Sequence, residues 1–171
     1  MPRKKVDIFS LFGGRQKFKV PQFSAGAVAK ILRLDSWRLQ KFLDSPRYNI
    51  SPSGQLGEGK GSRRWFTAED IYRIGIATFL VRDGFTPKLI AEILQQMDDN
   101  DLMRFDGHGD ETSIGIKLSR TGKGPKLSFF RPGRGPDVKV GGDVYYVLDL
   151  SEITGEIDRR IEEVTSKKTR R

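Results

Sequence analysis

The chain has 171 residues, of which 36% are hydrophobic and 31% are charged, and its formal net charge is +9. This length and apolar content are sufficient for one ordinary domain, or two small ones, with a buried core. The chain contains no cysteine. This excludes disulfides, thiolate metal sites and a cysteine nucleophile, and it is typical of a protein in a reducing compartment.

The first 20 residues form a basic leader that we expect to be partly disordered. The leader contains Arg3, Lys4 and Lys5, and its short apolar stretch is interrupted by Ser10, so it does not match a signal peptide. No stretch elsewhere in the sequence is long and apolar enough to span a bilayer. We therefore predict a cytoplasmic protein that is not bound to a membrane.

The positive charge is concentrated at the start of the chain. Residues 1–66 contain 14 Lys and Arg against 4 Asp and Glu, whereas residues 67–171 contain 17 against 18. A one-sided basic excess is the electrostatic signature of a protein that binds phosphates. Anionic membranes would attract the same charge, but the segment lacks the long basic amphipathic helix that lying on a bilayer requires.

Two short helices are predicted directly after the leader. Ser24 is the N-cap of the first, with Phe23 as its hydrophobic-staple residue, and Asp35 or Ser36 caps the second. Apolar residues recur at helical spacing in both helices: Val28, Ile31 and Leu32 in the first, and Leu39, Phe42 and Leu43 in the second. Two short helices joined so closely indicate a helix-turn-helix.

A glycine-rich hairpin and two capped helices complete the N-terminal part. Residues 51–62 contain four glycines and suit the tip of a hairpin, and residues 63–66 form the returning strand of a wing. A capping box begins at Thr67 and opens a third helix that ends at Gly84 and has Ile71, Ile74, Phe79 and Val81 as its apolar residues. Thr86, followed by Pro87, begins a fourth helix with the apolar face Ile90, Ile93, Leu94 and Met97. We assign residues 21–98 to this winged domain.

A second unit is predicted over residues 113–166, after an acidic and glycine-containing linker at residues 99–112. Alternating apolar residues predict one hairpin over residues 114–129 and another that pairs residues 138–140 with residues 144–148. Ser151 caps a last helix with one apolar stripe, made of Ile153, Ile157, Ile161 and Val164. This stripe is our candidate dimerisation surface, but it can equally pack on the hairpins of its own chain. A basic tail, residues 167–171, is expected to fray.

The predicted fold class is therefore α+β: a winged helix-turn-helix followed by a small unit of β-hairpins and a C-terminal helix. The order of motifs over roughly residues 21–97 resembles the DNA-binding domain of the MerR family. The matching motifs are Ala27-Val28-Ala29 with Ile31-Leu32, Leu39 with Phe42, Arg64-Trp65-Phe66-Thr67 with Asp70-Ile71, and Gly84-Phe85-Thr86-Pro87 with Ile90-Ala91-Glu92-Ile93-Leu94. In the recognition helix Gln40 stands where the family has an arginine.

The resemblance implies a bacterial transcriptional regulator. Such a protein binds promoter DNA as a homodimer, distorts the duplex and alters how RNA polymerase engages it. Family members continue into a long dimerisation helix, whereas this chain is predicted to continue into hairpins.

Ten residues are candidate contacts with double-stranded DNA. A helix fits the major groove, where Arg or Lys donates to guanine and Gln pairs with adenine, while wing residues reach phosphates or the minor groove. The candidates are Ser36, Trp37, Arg38, Gln40 and Lys41 in the second helix, Arg47 and Tyr48 after it, and Lys60, Arg63 and Arg64 on the wing. The alternative interpretation is a solvated polar face with Trp37 packed against the core, and a wing whose charges only make it soluble.

No motif predicts a catalytic residue, a metal site or a cofactor. The stretch from Gly54 to Lys60 matches the phosphate-binding pattern G-x-x-x-x-G-K, but Gly61 follows where Ser or Thr would bind magnesium. His108 is the one histidine and has no evident triad partner. We therefore predict a sequence-specific regulator that is not an enzyme. The alternatives are an architectural or excisionase-like DNA binder, and a C-terminal unit with a small-ligand or enzymatic site.

Overall fold

Five helices and six short strands make up the part of the chain that the computed structural model describes, residues 20–56, 63–99, 113–118, 124–130 and 144–169. In chain order they are β1 (Phe23–Ser24), α1 (Ala25–Leu32), α2 (Ser36–Asp44), β2 (Gly54–Leu56), β3 (Arg63–Phe66), α3 (Ala68–Arg82), α4 (Pro87–Asp99), β4 (Ser113–Leu118), β5 (Lys126–Phe130), β6 (Val144–Asp149) and α5 (Leu150–Thr169). The strands form two antiparallel sheets, which confirms the α+β class. None of the described helices is long and apolar enough to cross a membrane.

Side-chain caps fix where α1 and α3 begin, as the sequence predicts. The Ser24 hydroxyl accepts a hydrogen bond from the Ala27 amide at 3.3 Å. At α3 the capping box is complete, because the Asp70 amide donates to Thr67 Oγ1 at 3.1 Å and the Thr67 amide donates to Asp70 Oδ2 at 2.8 Å. Asp70 also accepts hydrogen bonds from the amide and hydroxyl of Ser53. This buried carboxylate therefore joins the start of α3 to the loop before β2.

A turn of three residues, from Arg33 to Asp35, connects α1 to α2. Arg33 ends α1 in the left-handed conformation, with a φ of 51°. Asp35 occupies the predicted N-cap position of α2, but its side chain makes no capping hydrogen bond. Its carboxylate lies 3.9 Å from the Arg38 guanidinium instead. The start of α2 is therefore predicted correctly, while the predicted side-chain cap is not formed.

The first sheet has the strand order β1-β3-β2. In the pairing of β2 with β3, Gln55 lies opposite Arg64 and Leu56 lies opposite Arg63. On the other side of β3, Phe23 lies opposite Phe66. The antiparallel hairpin predicted for the wing is present, and the residues between its two strands, which include Lys60, lie outside the described residues.

α3 is the central helix of the fold, because it packs against α1, α4, α5 and β3. Its buried residues lie on every side of the helix rather than in one stripe, and include Ile71, Tyr72, Ile74, Ile76, Ala77 and Leu80. The apolar face predicted for α3 is narrower than the surface that the helix buries. It also included Val81, which is 39% exposed.

The second sheet has the strand order β5-β4-β6, so β4 is its central strand. The predicted hairpin over residues 114–129 is confirmed, with Ile114 opposite Phe129 and Ile116 opposite Leu127. β6 pairs with the other side of β4, and Leu148 lies opposite Ile114. The predicted partner segment of β6, residues 138–140, lies outside the described residues.

The last helix, α5, packs across α1 and α3 of the N-terminal part. Asp149, rather than Ser151, caps this helix, and its Oδ1 accepts hydrogen bonds from the amides of Ser151 and Glu152 at 3.0 and 3.2 Å. α5 continues to Thr169, so the first residues of the predicted tail are helical.

The apolar stripe of α5 packs against other parts of the same chain. Ile157 and Ile161 are buried, and Ile153 and Val164 are partly buried against the same core. That core contains residues of α1 and α3 together with Ile114 and Leu148 of the second sheet. The sequence left open whether this stripe packs against a second chain or within its own chain, and in the structure it packs within its own chain. Ile157 and Ile161 are therefore corrected from a dimerisation surface to core residues, and Ile153 and Val164 pack against the same core as partly buried residues.

Candidate nucleic-acid interface

The outward face of α2 is set by the residues that the helix buries. Leu39 and Phe42 are buried against the core, and Leu43 is partly buried. Because successive residues are rotated by about 100° around a helix, the opposite side of α2 points away from the protein. Five of the predicted contact residues are exposed there: Ser36, Trp37, Arg38, Gln40 and Lys41.

Trp37 has an exposed indole beside a cation. Its side chain is 61% exposed, and the Arg38 guanidinium carbon lies 5.3 Å from the centre of the ring. A cation at this distance from an aromatic ring is attracted to its face. The alternative in which Trp37 packs against the core is therefore wrong.

Asp44, the last residue of α2, joins the helix to the wing. Its Oδ1 lies 2.9 Å from Nη2 of Arg64 on β3, and its Oδ2 accepts a hydrogen bond from Nε2 of Gln40. These two hydrogen bonds, from Gln40 first and Arg64 second, hold the pKa of Asp44 below its usual range. The carboxylate is therefore charged and fixes two of the predicted contact residues relative to each other.

The two wing arginines differ in their surroundings. Arg63 is exposed at the start of β3. Arg64 is 26% exposed and is held by Asp44, so that part of its charge is neutralised within the protein. Because Arg64 is bound to Asp44, the start of β3, where Arg63 is exposed, lies near the C-terminal end of α2. We refer to Trp37, Arg38, Gln40, Lys41 and Arg63 as the cationic face.

The two candidate contact residues that follow α2 differ in exposure. Arg47 is exposed. Tyr48 is buried, and its ring centre lies 4.8 Å from that of Phe42, which makes it a core residue. We therefore correct the prediction and leave Tyr48 out of the cationic face.

A further cation beside Arg47 was not predicted. An open groove between Arg47 and the start of α4 is lined by Thr86, Pro87 and Lys88. The Lys88 ammonium is exposed and lies 4.0 Å from Glu92. The signal available in the sequence was a lysine directly after the Thr86-Pro87 helix start, but its proximity to Arg47 depends on the tertiary fold.

The described residues contain no candidate metal site. Among the residues that the structure describes, no group of three or more His, Asp or Glu side chains is placed to hold a metal ion. No protein-family model matches the chain, and no curated protein matches it significantly. The likeness to the MerR family therefore stays a prediction from the sequence motifs.

Proposed function

We propose that this protein binds double-stranded DNA through α2 and the β2–β3 hairpin, as a winged helix-turn-helix of the MerR type, and regulates transcription. The observation that carries the proposal is the exposure of Trp37, Arg38, Gln40 and Lys41 on α2, together with the ion pair that joins β3 to the end of that helix. All the surplus positive charge of the chain lies in residues 1–66, the segment that contains these residues. Phosphate contacts require such a surface.

The two parts of the cationic face suit different parts of a duplex. An α-helix enters the major groove, where Arg38 and Lys41 can donate to guanine and Gln40 can pair with adenine. A hairpin beside the recognition helix reaches the sugar-phosphate backbone, where Arg63 contributes charge and no base preference. The proposal therefore assigns sequence readout to α2 and affinity to the wing.

The partners in this proposal come from the MerR resemblance. Regulators with a recognition helix bind two half-sites related by a two-fold axis, so a homodimer on promoter DNA is part of the proposal. RNA polymerase is the second proposed partner. The dimer contact is assigned to no surface, because Ile157 and Ile161 of the α5 stripe are buried within the chain.

Binding of the intact chain to a selected duplex tests the proposal. Fragments are first selected from random double-stranded DNA, and affinity is then measured by fluorescence anisotropy over a series of salt concentrations. A shared two-fold motif supports regulation, whereas many bent and weakly specific sites support the architectural alternative. A chain that enriches no fragment and binds no duplex contradicts the proposed function.

Replacing the wing arginines measures the phosphate contacts directly. Arg63→Ala together with Arg64→Ala should weaken binding to every duplex and reduce the slope of log K against log salt by about 1 for each lost contact. Arg82→Ala is the control for Arg63→Ala. Arg82 is also an exposed arginine, but it stands at the far end of α3, a helix of 15 residues, or about 21 Å. An unchanged slope in the double variant would remove the wing from the proposed interface.

A further inference from the structure

We propose that Asp44 is a positioning residue that sets the sequence specificity of the cationic face by holding Gln40 and Arg64 in one fixed arrangement. This inference rests on the proposed function. It adds a role for an acidic residue that neither the basic composition nor the MerR resemblance assigns.

The two carboxylate oxygens of Asp44 serve two different elements. Oδ1 binds Nη2 of Arg64, which lies 20 residues further along the chain on β3, at 2.9 Å. Oδ2 binds Nε2 of Gln40, which lies four residues earlier and one turn away on α2. The side chain of Asp44 is itself 50% exposed, so the arrangement lies at the surface where a duplex would dock.

For Gln40, the consequence is a fixed orientation of the amide. A glutamine amide has a donor end and an acceptor end, and a carboxylate accepts hydrogen bonds only. Only the NH₂ end of Gln40 can therefore face Asp44. Bidentate pairing with adenine requires the amide to present its oxygen to N6 and a hydrogen of its nitrogen to N7. An amide whose two ends cannot exchange places is preorganised for one such pairing.

For Arg64, the consequence is a position close to α2. Its Nη1 atom is buried and has no hydrogen-bond partner among the described residues, so Asp44 is the anchor that the structure shows for this guanidinium. With Arg64 held there, β3 and the exposed Arg63 beside it keep a constant distance from the recognition helix.

Asp44 also repels phosphates, because a carboxylate on a cationic surface opposes any polyanion. This repulsion weakens binding to all duplexes alike. The fixed Gln40 strengthens binding to the duplexes with the matching base pair. The repulsion therefore lowers the affinity for every duplex, while the fixed Gln40 is the part of the arrangement that raises the ratio of specific to non-specific binding.

Asp44→Asn tests this role, because asparagine has the same shape without the charge. We expect Asp44→Asn to bind unrelated duplex several-fold more tightly than the unchanged chain does. We expect its preference for the base pair read by Gln40 to fall about tenfold, while preferences at other base pairs stay within about twofold. Asp44→Glu keeps the charge but moves the carboxylate, and should lose the preference without the gain in non-specific binding.

Two comparisons separate positioning from charge. Asp35→Asn removes the same charge at the other end of α2, where the neighbouring cation is Arg38 and not Gln40, and should tighten non-specific binding without altering the preference at the base pair read by Gln40. Adding Asp44→Asn to Gln40→Ala should cost no further preference at that base pair, since both changes remove one interaction. Thermal melting verifies that each variant is folded.

The possible outcomes test the positioning role of Asp44 and the proposed function separately. If the unchanged chain binds duplex and Asp44→Asn retains full preference, or loses it equally at every base pair, the positioning role is wrong while the proposed function stands. If the unchanged chain binds no duplex, the proposed function fails and this inference fails with it.

Discussion

At the scale of single residues, Asp158 has a carboxyl whose surroundings raise its pKa. It lies on α5 and accepts a hydrogen bond from the phenol of Tyr72, a fully buried residue of α3. Burial raises the pKa of Asp158 to about 6 from its ordinary value of 3.8, against the hydrogen bond from Tyr72 and with a further rise from Glu162. Burial also raises the pKa of Tyr72, and the Asp158 charge adds to that rise. Two packed helices are thus joined by a carboxyl that titrates near neutral pH.

The raised pKa predicts how Asp158→Asn changes stability with pH. Because the folded chain binds the Asp158 proton more tightly than the unfolded chain, this group contributes stability that is fully present below pH 3.8 and is lost as the pH rises to about 6. The loss amounts to at most about 3 kcal/mol. Asparagine has no such loss, so the stability of the variant relative to the unchanged chain should rise between pH 4 and 6 and then stay constant. Urea denaturation at several pH values measures this. A difference that is the same at all pH values would contradict it.

At the scale of elements, Gly75 determines how closely α3 and α5 approach. A Cβ atom placed on Gly75 would lie 2.5 Å from Cδ1 of Ile157 and 3.3 Å from Cδ2 of Leu32. Both neighbouring side chains are buried. The glycine in the middle of α3 therefore costs helix propensity but provides the surface on which α5 and α1 pack.

Substitutions at two glycines distinguish the effect of helix propensity on stability from the effect of packing between α3 and α5. Gly75→Val should lower the free energy of unfolding by about 1–3 kcal/mol, because its side chain overfills the contact with Ile157. Gly155→Ala in α5 is the matched helical control, since a Cβ there meets no atom within 4 Å. It should raise the free energy of unfolding by about 0.5–1 kcal/mol through helix propensity alone. Equal effects at the two positions, measured by chemical denaturation, would mean that Gly75 has no packing role.

The sequence predicts best what depends on neighbouring residues. The cap at Ser24, the capping box at Thr67 and the alternation that forms β4 and β5 involve partners a few residues apart or across one turn, and all three are present. The burial of α3 on all sides, by contrast, depends on α5 docking on it from much later in the chain. The pairing of β6 with β4 is another long-range contact. The residue pattern along a single helix or strand does not predict the docking of α5 on α3 or the pairing of β6 with β4.

The same division applies to the cationic face. Helical spacing predicts that Arg38, Gln40 and Lys41 lie outside the side of the helix that carries Leu39 and Phe42, because one turn determines that arrangement. The contact between Asp44 and Arg64 joins two elements across 20 residues. It was therefore not predicted. Tyr48 was misassigned for a related reason, since a polar ring after a helix can face either water or the core, and its contact with Phe42 decides between them.

At the scale of the whole molecule, α5 connects the C-terminal part to the cationic face. Besides its apolar contacts with α1 and α3, its Arg160 donates a hydrogen bond from Nη1 to the carbonyl of Ile31, near the end of α1, at 3.2 Å. Glu156 holds the same guanidinium at 2.8 Å. Since a turn of only three residues joins α1 to α2, the contacts of α5 with α1 also support the position of α2.

Ile161→Ala tests whether the chain unfolds as one unit. The side chain is fully buried, so its truncation should lower the free energy of unfolding by about 2–5 kcal/mol. Both tryptophans, Trp37 and Trp65, lie in the N-terminal part, and their fluorescence reports on that part alone. If α5 shares one core with it, the fluorescence midpoint should fall together with the loss of circular dichroism. Val147→Ala, an exposed apolar position on β6, is the control and should change the midpoint little.

The same variant decides what the α5 stripe does in solution. Because Ile161 faces the interior, Ile161→Ala should leave the association state in sedimentation unchanged wherever the variant is folded. Wild-type dimers that become monomers in the variant, with an unaltered fluorescence midpoint, would mean that the stripe joins two chains. A lower midpoint with an unaltered association state is the result that follows from the contacts of α5 with α1 and α3, since the truncation then removes packing within a single chain.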